Sequence, residues 1–258
     1  MKISIITAVL NNKKHIEGCI ESVKSQSYKD IEHVIVDGGS IDGTVEIIQN
    51  SKLKIKNCIV ISEKDSGIYD AINKGINNST GDIIGLLHSD DVFADETVIE
   101  KVVEKFIKEK TDSVYGDLVY VSADDINKRI RYWHAGDCNI KKLKHGWMPP
   151  HPAFFVRRDV FSKFGLYSTE YKVAADYEMV LRLLWKGRIT SAYLPIVITK
   201  MRWGGASNRD ISSVMLKSRE DYKALKANSV PGPLIAVFLK NVRKLHQFRR
   251  KVHADLAD

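Results

Sequence analysis

The chain has 258 residues, 44% hydrophobic and 28% charged, a globular composition that excludes a disordered or fibrous protein. No apolar run approaches the ~20 residues that span a bilayer, and Met1-Lys2 leads directly into a strand pattern rather than a signal peptide, so a cytoplasmic protein is expected. Most of the net charge of +8 falls after residue 208, where 11 Lys and Arg face 5 Asp and Glu, while Cys19, Cys58 and Cys138 lie too far apart for a zinc site or disulfide framework.

Residues 2–9 are β-rich, and Asn11 and Asn12 break that run before a helix over about 13–25 with Ile16, Cys19, Ile20 and Val23 on one face. A second strand, 31–36, ends in Asp37-Gly38-Gly39-Ser40. A short helix over 44–49 follows with Asp42 as its cap. Residues 59–61 read as a third strand, 63–70 lead into a helix ending at 76, and 83–87 form a fourth strand. Such alternation predicts an α/β fold with a mostly parallel, Rossmann-like sheet covered on both faces. After residue 96 the rhythm changes. A helix over 96–109, a strand over 113–121, a turn at 124–127 and a returning strand over 129–134 predict an antiparallel addition. A loop at 145–152 contains three prolines, a helix over 174–186 presents Met179, Leu183 and Leu184, a strand lies within 193–203, and Gly204–Ser207 is a flexible loop.

Asp90 and Asp91 fall just past the fourth strand, where open α/β sheets bind ligands. Adjacent carboxylates repel, and a hard divalent cation, Mg²⁺ or Mn²⁺, completed by substrate phosphates is one remedy. The other reading makes them helix caps, although Asp95 is better placed for that. Asp37 closes its strand before two glycines, which suits a ribose hydroxyl or a base N–H at the sheet edge but serves a tight turn equally well. Neither Gly-x-Gly-x-x-Gly nor a P-loop is present, so phosphate would have to be held by a metal.

These stretches carry a resemblance. A strand with Thr7, Val34-Ile-Val-Asp-Gly-Gly-Ser-Ile-Asp-Gly-Thr44, Asp65-Ser-Gly-Ile-Tyr-Asp-Ala-Ile-Asn-Lys-Gly75 and His88-Ser-Asp-Asp91 resemble the nucleotide-sugar half of family 2 glycosyltransferases. Ala174-Ala-Asp-Tyr-Glu178 resembles the family's catalytic-base segment, and Arg202-Trp-Gly-Gly-Ala-Ser207 the loop that follows it. The resemblance implies a GT-A fold and inverting transfer of a sugar from a nucleoside-diphosphate donor, a UDP-sugar by preference, to a saccharide or lipid-linked acceptor. It implies Thr7, Asp37 and Asp65 around base and ribose, Asp90 near the ribose or metal, Asp91 as chief metal ligand with Asp90, and Asp176 as general base; Ser89 and His88 are further nucleotide-sugar-binding candidates, with His88 open to an inward-facing polar role, a diphosphate contact or metal ligation. Arg202 is the natural phosphate partner. Trp147, His151 and Trp203 are candidates to line the sugar or acceptor site, against a reading of Trp147 as a core residue in a rigid turn. One departure is His88, which stands where many relatives carry an acid.

The expected domains are 1–208, with a nucleotide-sugar half at 1–95 and an acceptor and catalytic half at 96–208, and a basic amphipathic helical tail at 209–258. In the tail, Leu234, Phe238, Val242, Leu245 and Phe248 form an apolar stripe with Lys and Arg opposite. It suits an anionic membrane surface, and equally the catalytic domain or a second subunit; no nucleic-acid motif accompanies the charge. Two rival functions are a sugar-phosphate nucleotidyltransferase, which lacks its Gly-rich basic loop here, and a non-catalytic nucleotide-sugar-binding assembly subunit.

Overall fold

The computed structural model describes residues 1–52, 57–204 and 211–249. Strands β1 (Ile3–Val9), β2 (Ile31–Asp37), β3 (Cys58–Ser62) and β4 (Ile83–Leu86) form a parallel half-sheet in the order β3-β2-β1-β4. Helices α1 (Ile16–Lys24), α2 (Thr44–Lys52) and α3 (Ile68–Asn77) connect them. Every residue of β1 is buried, as expected of a strand packed on both faces, and this is why it reads as a continuous run rather than an alternation.

The second half adds β5 (Val92–Phe93), α4 (Val98–Glu109), β6 (Ser113–Val121), β7 (Arg129–Trp133), α5 (Ile140–Leu143), β8 (Phe154–Arg157), α6 (Arg158–Phe164), α7 (Ala175–Val180) and β9 (Ser191–Arg202). Among the described residues all nine strands belong to one sheet. β8 is antiparallel to both β4 and β6 and so joins the halves, while β9 runs parallel to β6 and ends against β5. The expected returning strand is β7, antiparallel to β6. Parallel pairing therefore holds in the first half and between β6 and β9. The helix expected over 174–186 is α7 continued by a wider π-helical segment at Leu181–Lys186.

Two further helices, α8 (Ile211–Ala227) and α9 (Pro233–Arg249), form a hairpin that packs against α7 and β7. α9 turns Ala236 and Lys240 inward, and leaves Leu234, Ile235 and Phe238 62–72% exposed. Its close approach depends on Gly146, at φ +74, where a Cβ would stand 2.5 Å from the Ala236 carbonyl oxygen. The helix thus packs on the protein and still presents part of the expected stripe outward. The side chains of Leu245 and Phe248, and residues 205–207 of the expected flexible loop, lie outside the described residues. No described helix is long and apolar enough to cross a membrane.

Glu32 binds the edges of β1, β2 and the turn before β4 together. Its carboxylate, 3% exposed, accepts from Lys2 Nζ, Ser4 Oγ, and the amide and hydroxyl of Thr80 at 2.6–2.7 Å. Burial works to raise this carboxyl, but the bonds from Lys2, Ser4 and Thr80 prevail and hold it at about 2. A depressed carboxyl stabilises above its ordinary value of 4.5, and that contribution disappears as the pH falls toward 2. Glu32→Gln is expected to cost about 3 kcal/mol at pH 7, with the gap from wild type narrowing in thermal melts between about pH 4.5 and 3. A pH-independent gap would contradict this account.

Candidate active site

The C-terminal ends of β1 and β4, with the loop after β3, open on a cleft of about 610 Å³, walled on the far side by β6 and the end of β9. Asp65, His88, Ser89, Asp90, Arg202 and Trp203 all line it. A second hollow of about 770 Å³, at 138–141 and 185–191, shares none of these residues and has no carboxylate in its lining.

The loop after β1 is built from the two asparagines that break the strand. Asn11 adopts φ +50, which asparagine tolerates, so that its amide donates to Ser40 Oγ while its side chain accepts from the Ile41 amide. Asn12 Nδ2 donates to Ser89 Oγ at 2.8 Å and thereby joins the β1 loop to the acidic loop after β4. Asp42 accepts from the Thr44 amide, as a cap for α2 should.

Two expected nucleotide ligands do not present free side chains. Thr7 is fully buried, with its hydroxyl 2.9 Å from His33 Nε2 and 3.8 Å from Cys19 Sγ; it lies one residue short of the strand end that lines the cleft, where Ala8 and Val9 stand. Asp37 is also fully buried. Its carboxylate accepts from the amides of Gly39 and Ser40 and from Ser62 Oγ, so it organises the turn rather than projecting over the sheet edge. Asp65 remains available. It lines the cleft, accepts the Gly67 amide at 2.9 Å and lies so close to Gly38 that a Cβ there would stand 2.4 Å from its Oδ2.

The acidic pair divides in two directions. Asp90 lines the cleft, whereas Asp91, 1% exposed, turns its Oδ1 to the Arg202 amide at 3.1 Å and leaves Oδ2 buried without a donor. Burial and the charge of Asp90 push the Asp91 carboxyl well above its usual range, against the pull of Arg202. The residue expected to be the chief metal ligand therefore stands behind the one that faces solvent. Arg202 also donates Nη1 to the Ala123 carbonyl, and its Nε is buried without a partner. Trp203 meets Tyr120 edge to face at 5.6 Å.

Asp176 occupies the first turn of α7, half-buried, where the helix dipole favours an anion. Burial works to raise its carboxyl, but His151, Lys217 and Lys240 outweigh burial and hold it below the ordinary value. His151 is buried beneath the site, with Nε2 2.8 Å from the Tyr167 hydroxyl; burial pushes it down to about 4, so it is neutral near pH 7. His88 lies 6.2 Å from His151 ring to ring and is likewise lowered by burial, with Asp90 and Asp176 pulling the other way. Tyr69 stacks on Tyr167 at 6.0 Å and feels the Asp176 charge. Trp147, by contrast, is a core residue: its indole donates to the Ala135 carbonyl at 3.0 Å and packs edge-on against Tyr115. The sequence reading missed Asn12, His15 and Tyr120 as cleft residues; the asparagines were visible only as strand breakers, and nothing marked Tyr120.

Fold and cleft together place the molecule among the GT-A glycosyltransferases. Its backbone is similar to S. aureus TarS 1–349 in complex with UDP-GlcNAc, with a TM-score of 0.71 and 16% identity over 97% of this chain and 71% of that one. It is also similar to the mannosyltransferase PcManGT from Pyrobaculum calidifontis in complex with GDP-Man and Mn²⁺, with a TM-score of 0.66 and 13% identity over 93% and 68%. The chain spans 46% of a longer S. aureus TarS chain. Residues 4–165 match the model of Glycosyl transferase family 2. Over 218 residues the chain is 31% identical to a PGL/p-HBAD biosynthesis glycosyltransferase of Mycobacterium bovis, covering 83% of this chain and 82% of that protein. The chain belongs to glycosyl transferase family 2 and is an enzyme of that class.

Proposed function

We propose that this enzyme transfers a sugar, with inversion, from a nucleoside-diphosphate donor to an acceptor hydroxyl in polysaccharide or glycoconjugate synthesis. The observation that carries the reading is a cleft lined by Asp65, His88 and Asp90, with the half-buried Asp176 outside that lining yet close enough to His88 for its charge to act on the ring. In this scheme Asp176 takes the proton of the acceptor hydroxyl. The acceptor oxygen bonds to the anomeric carbon, and the bond to the diphosphate breaks with its electron pair on the leaving phosphate oxygen. The name of the Mycobacterium bovis relative and the UDP-GlcNAc bound by TarS support a nucleotide-sugar donor, with UDP preferred.

The residues fit a weakly anchored divalent cation. Among the described residues no group of three His, Cys, Asp or Glu surrounds one point. Asp90 faces the cleft, with the unpaired Asp91 Oδ2 behind it, and such a pair suits a hard ion that takes its remaining oxygens from phosphate and water. When bound, Mn²⁺ or Mg²⁺ would neutralise charge on the departing diphosphate; PcManGT, solved with GDP-Man and Mn²⁺, supports that reading. Arg202 contributes a fixed positive charge at the same wall.

Calorimetric titration with UDP, GDP and dTDP, each with and without Mn²⁺, tests this. One nucleotide should bind at least about tenfold more tightly with the metal, and Asp90→Ala should lose that gain, roughly 1.4 kcal/mol or more. Unchanged metal dependence in Asp90→Ala would sink the metal assignment, and absence of binding by all three nucleotides would sink the donor.

A further inference from the structure

α7 starts badly by its own sequence. Its N-cap residue is Ala174, which has no side-chain oxygen, and the only first-turn amide that a local side chain takes is that of Tyr177, bound by Asp176 Oδ1. A helix N-terminus leaves backbone donors without partners, and a start of this kind should fray. The segment that enters the helix is held by another element. Glu220, in the middle of α8 and only 9% exposed, takes the amides of Lys172, Val173 and Ala174 at 2.9, 2.9 and 3.0 Å with its two oxygens. Those three consecutive amides lead directly into the turn that bears Asp176.

The neighbouring residue adds a second attachment. Asp221, 1% exposed, accepts from Lys240 Nζ of α9 at 2.7 Å. The same ammonium lies 3.4 Å from the centroid of the Tyr177 ring, and Tyr177 follows Asp176. Thus α8 and α9 grip the residues immediately before and after the carboxylate. The hairpin lies beyond residues 4–165, where the family model matches.

We propose that Glu220 is a positioning residue for the transfer reaction: its carboxylate anchors the three amides that lead into α7 and fixes the direction in which Asp176 meets the acceptor. This rests on Asp176 being the base. Misplacing a catalytic group by about 1 Å costs up to about a hundredfold in rate. Loss of this anchor should therefore appear in kcat and spare the nucleotide, whose proposed contacts Asp65 and Asp90 follow β3 and β4.

The test uses the full chain with Mn²⁺ and a panel of UDP-glucose, UDP-galactose and UDP-N-acetylglucosamine, following UDP release with water as acceptor and continuing with the fastest of the three. Glu220→Ala should lower kcat roughly ten- to a hundredfold with UDP affinity unchanged in calorimetry, and Glu220→Gln, which keeps one acceptor oxygen, should recover part of the loss. In an Asp176→Asn background the Glu220 substitution should cost nothing further. Should Glu220→Ala fail to fold, Glu220→Gln carries the comparison alone. Wild-type kcat in Glu220→Gln, a parallel fall in UDP affinity, or a second full loss in the Asp176→Asn background would each overturn the proposal. Wild-type turnover in Asp176→Asn alone would instead overturn the base assignment beneath it.

Discussion

In Asp176→Asn, turnover of the donor is expected to fall about a hundredfold to ten-thousandfold, the range a positioned general base contributes, with UDP affinity unchanged. Asparagine has nearly the same shape and keeps an oxygen for the Tyr177 amide, which Asp176 Oδ1 accepts at 2.8 Å. What it lacks is a lone pair basic enough to take the acceptor proton. The wild-type pH profile carries the same information. His151, Lys217 and Lys240 overcome burial and hold this carboxyl below its ordinary value, so the base form is fully present from about pH 5 upward. No acid limb from Asp176 should therefore appear between about pH 5 and 8. A variant that turns over the donor at the wild-type rate would remove Asp176 from the chemistry.

Gly38→Ala should weaken UDP binding by about ten- to a hundredfold while leaving the melting temperature nearly unchanged. The substituted Cβ would stand 2.4 Å from Asp65 Oδ2 and 3.1 Å from its Cγ. The backbone at Gly38 has no need of a positive φ, so the clash falls on a side-chain end that can rotate. Rotation, however, breaks the bond from the Gly67 amide and withdraws the carboxylate from the cleft. A hydrogen bond to a charged group contributes about 1.5–3 kcal/mol, which sets the size of the expected loss if Asp65 holds the nucleotide. Equal UDP affinity in wild type and variant would release Asp65 from that role.

The first half-sheet was legible because β1, β2 and β4 are buried on both faces and announce themselves as apolar runs bounded by Asn, Gly and Asp. β5 and β8 were not, since two and four residues are too few to establish a period. For the cleft, the motif order located the correct loops but not the direction of each side chain. Thr7 and Asp37 lie at the expected strand ends, yet one turns into the core and the other closes its own turn. Trp147 illustrates the same limit, because an aromatic ring suits a sugar and a core equally. α8 falls within the expected helical tail at 209–258, but its docking face stayed hidden for a different reason. The face it buries carries Glu220, Asp221, Ala224, Leu225 and Asn228, a helical spacing in which the acids and the amide reach partners on other elements. A hydrophobic period cannot reveal a polar seam.

The position of β9 has a consequence for how the protein is made. β5, directly after Asp91, pairs only with β9 among the described strands, and the Arg202 amide reaches Asp91 across a sequence separation of 111. Contacts so distant in sequence form late, after the chain has paid the entropy of closing a long loop. During synthesis the acidic corner must wait for 111 further residues, more than the chain already made, with the edge of β6 unpaired in the meantime and open to wrong partners. A nascent chain that stops near residue 165 holds the whole segment matched by the family model and neither β9, which completes the wall of its cleft, nor the helix that bears Asp176.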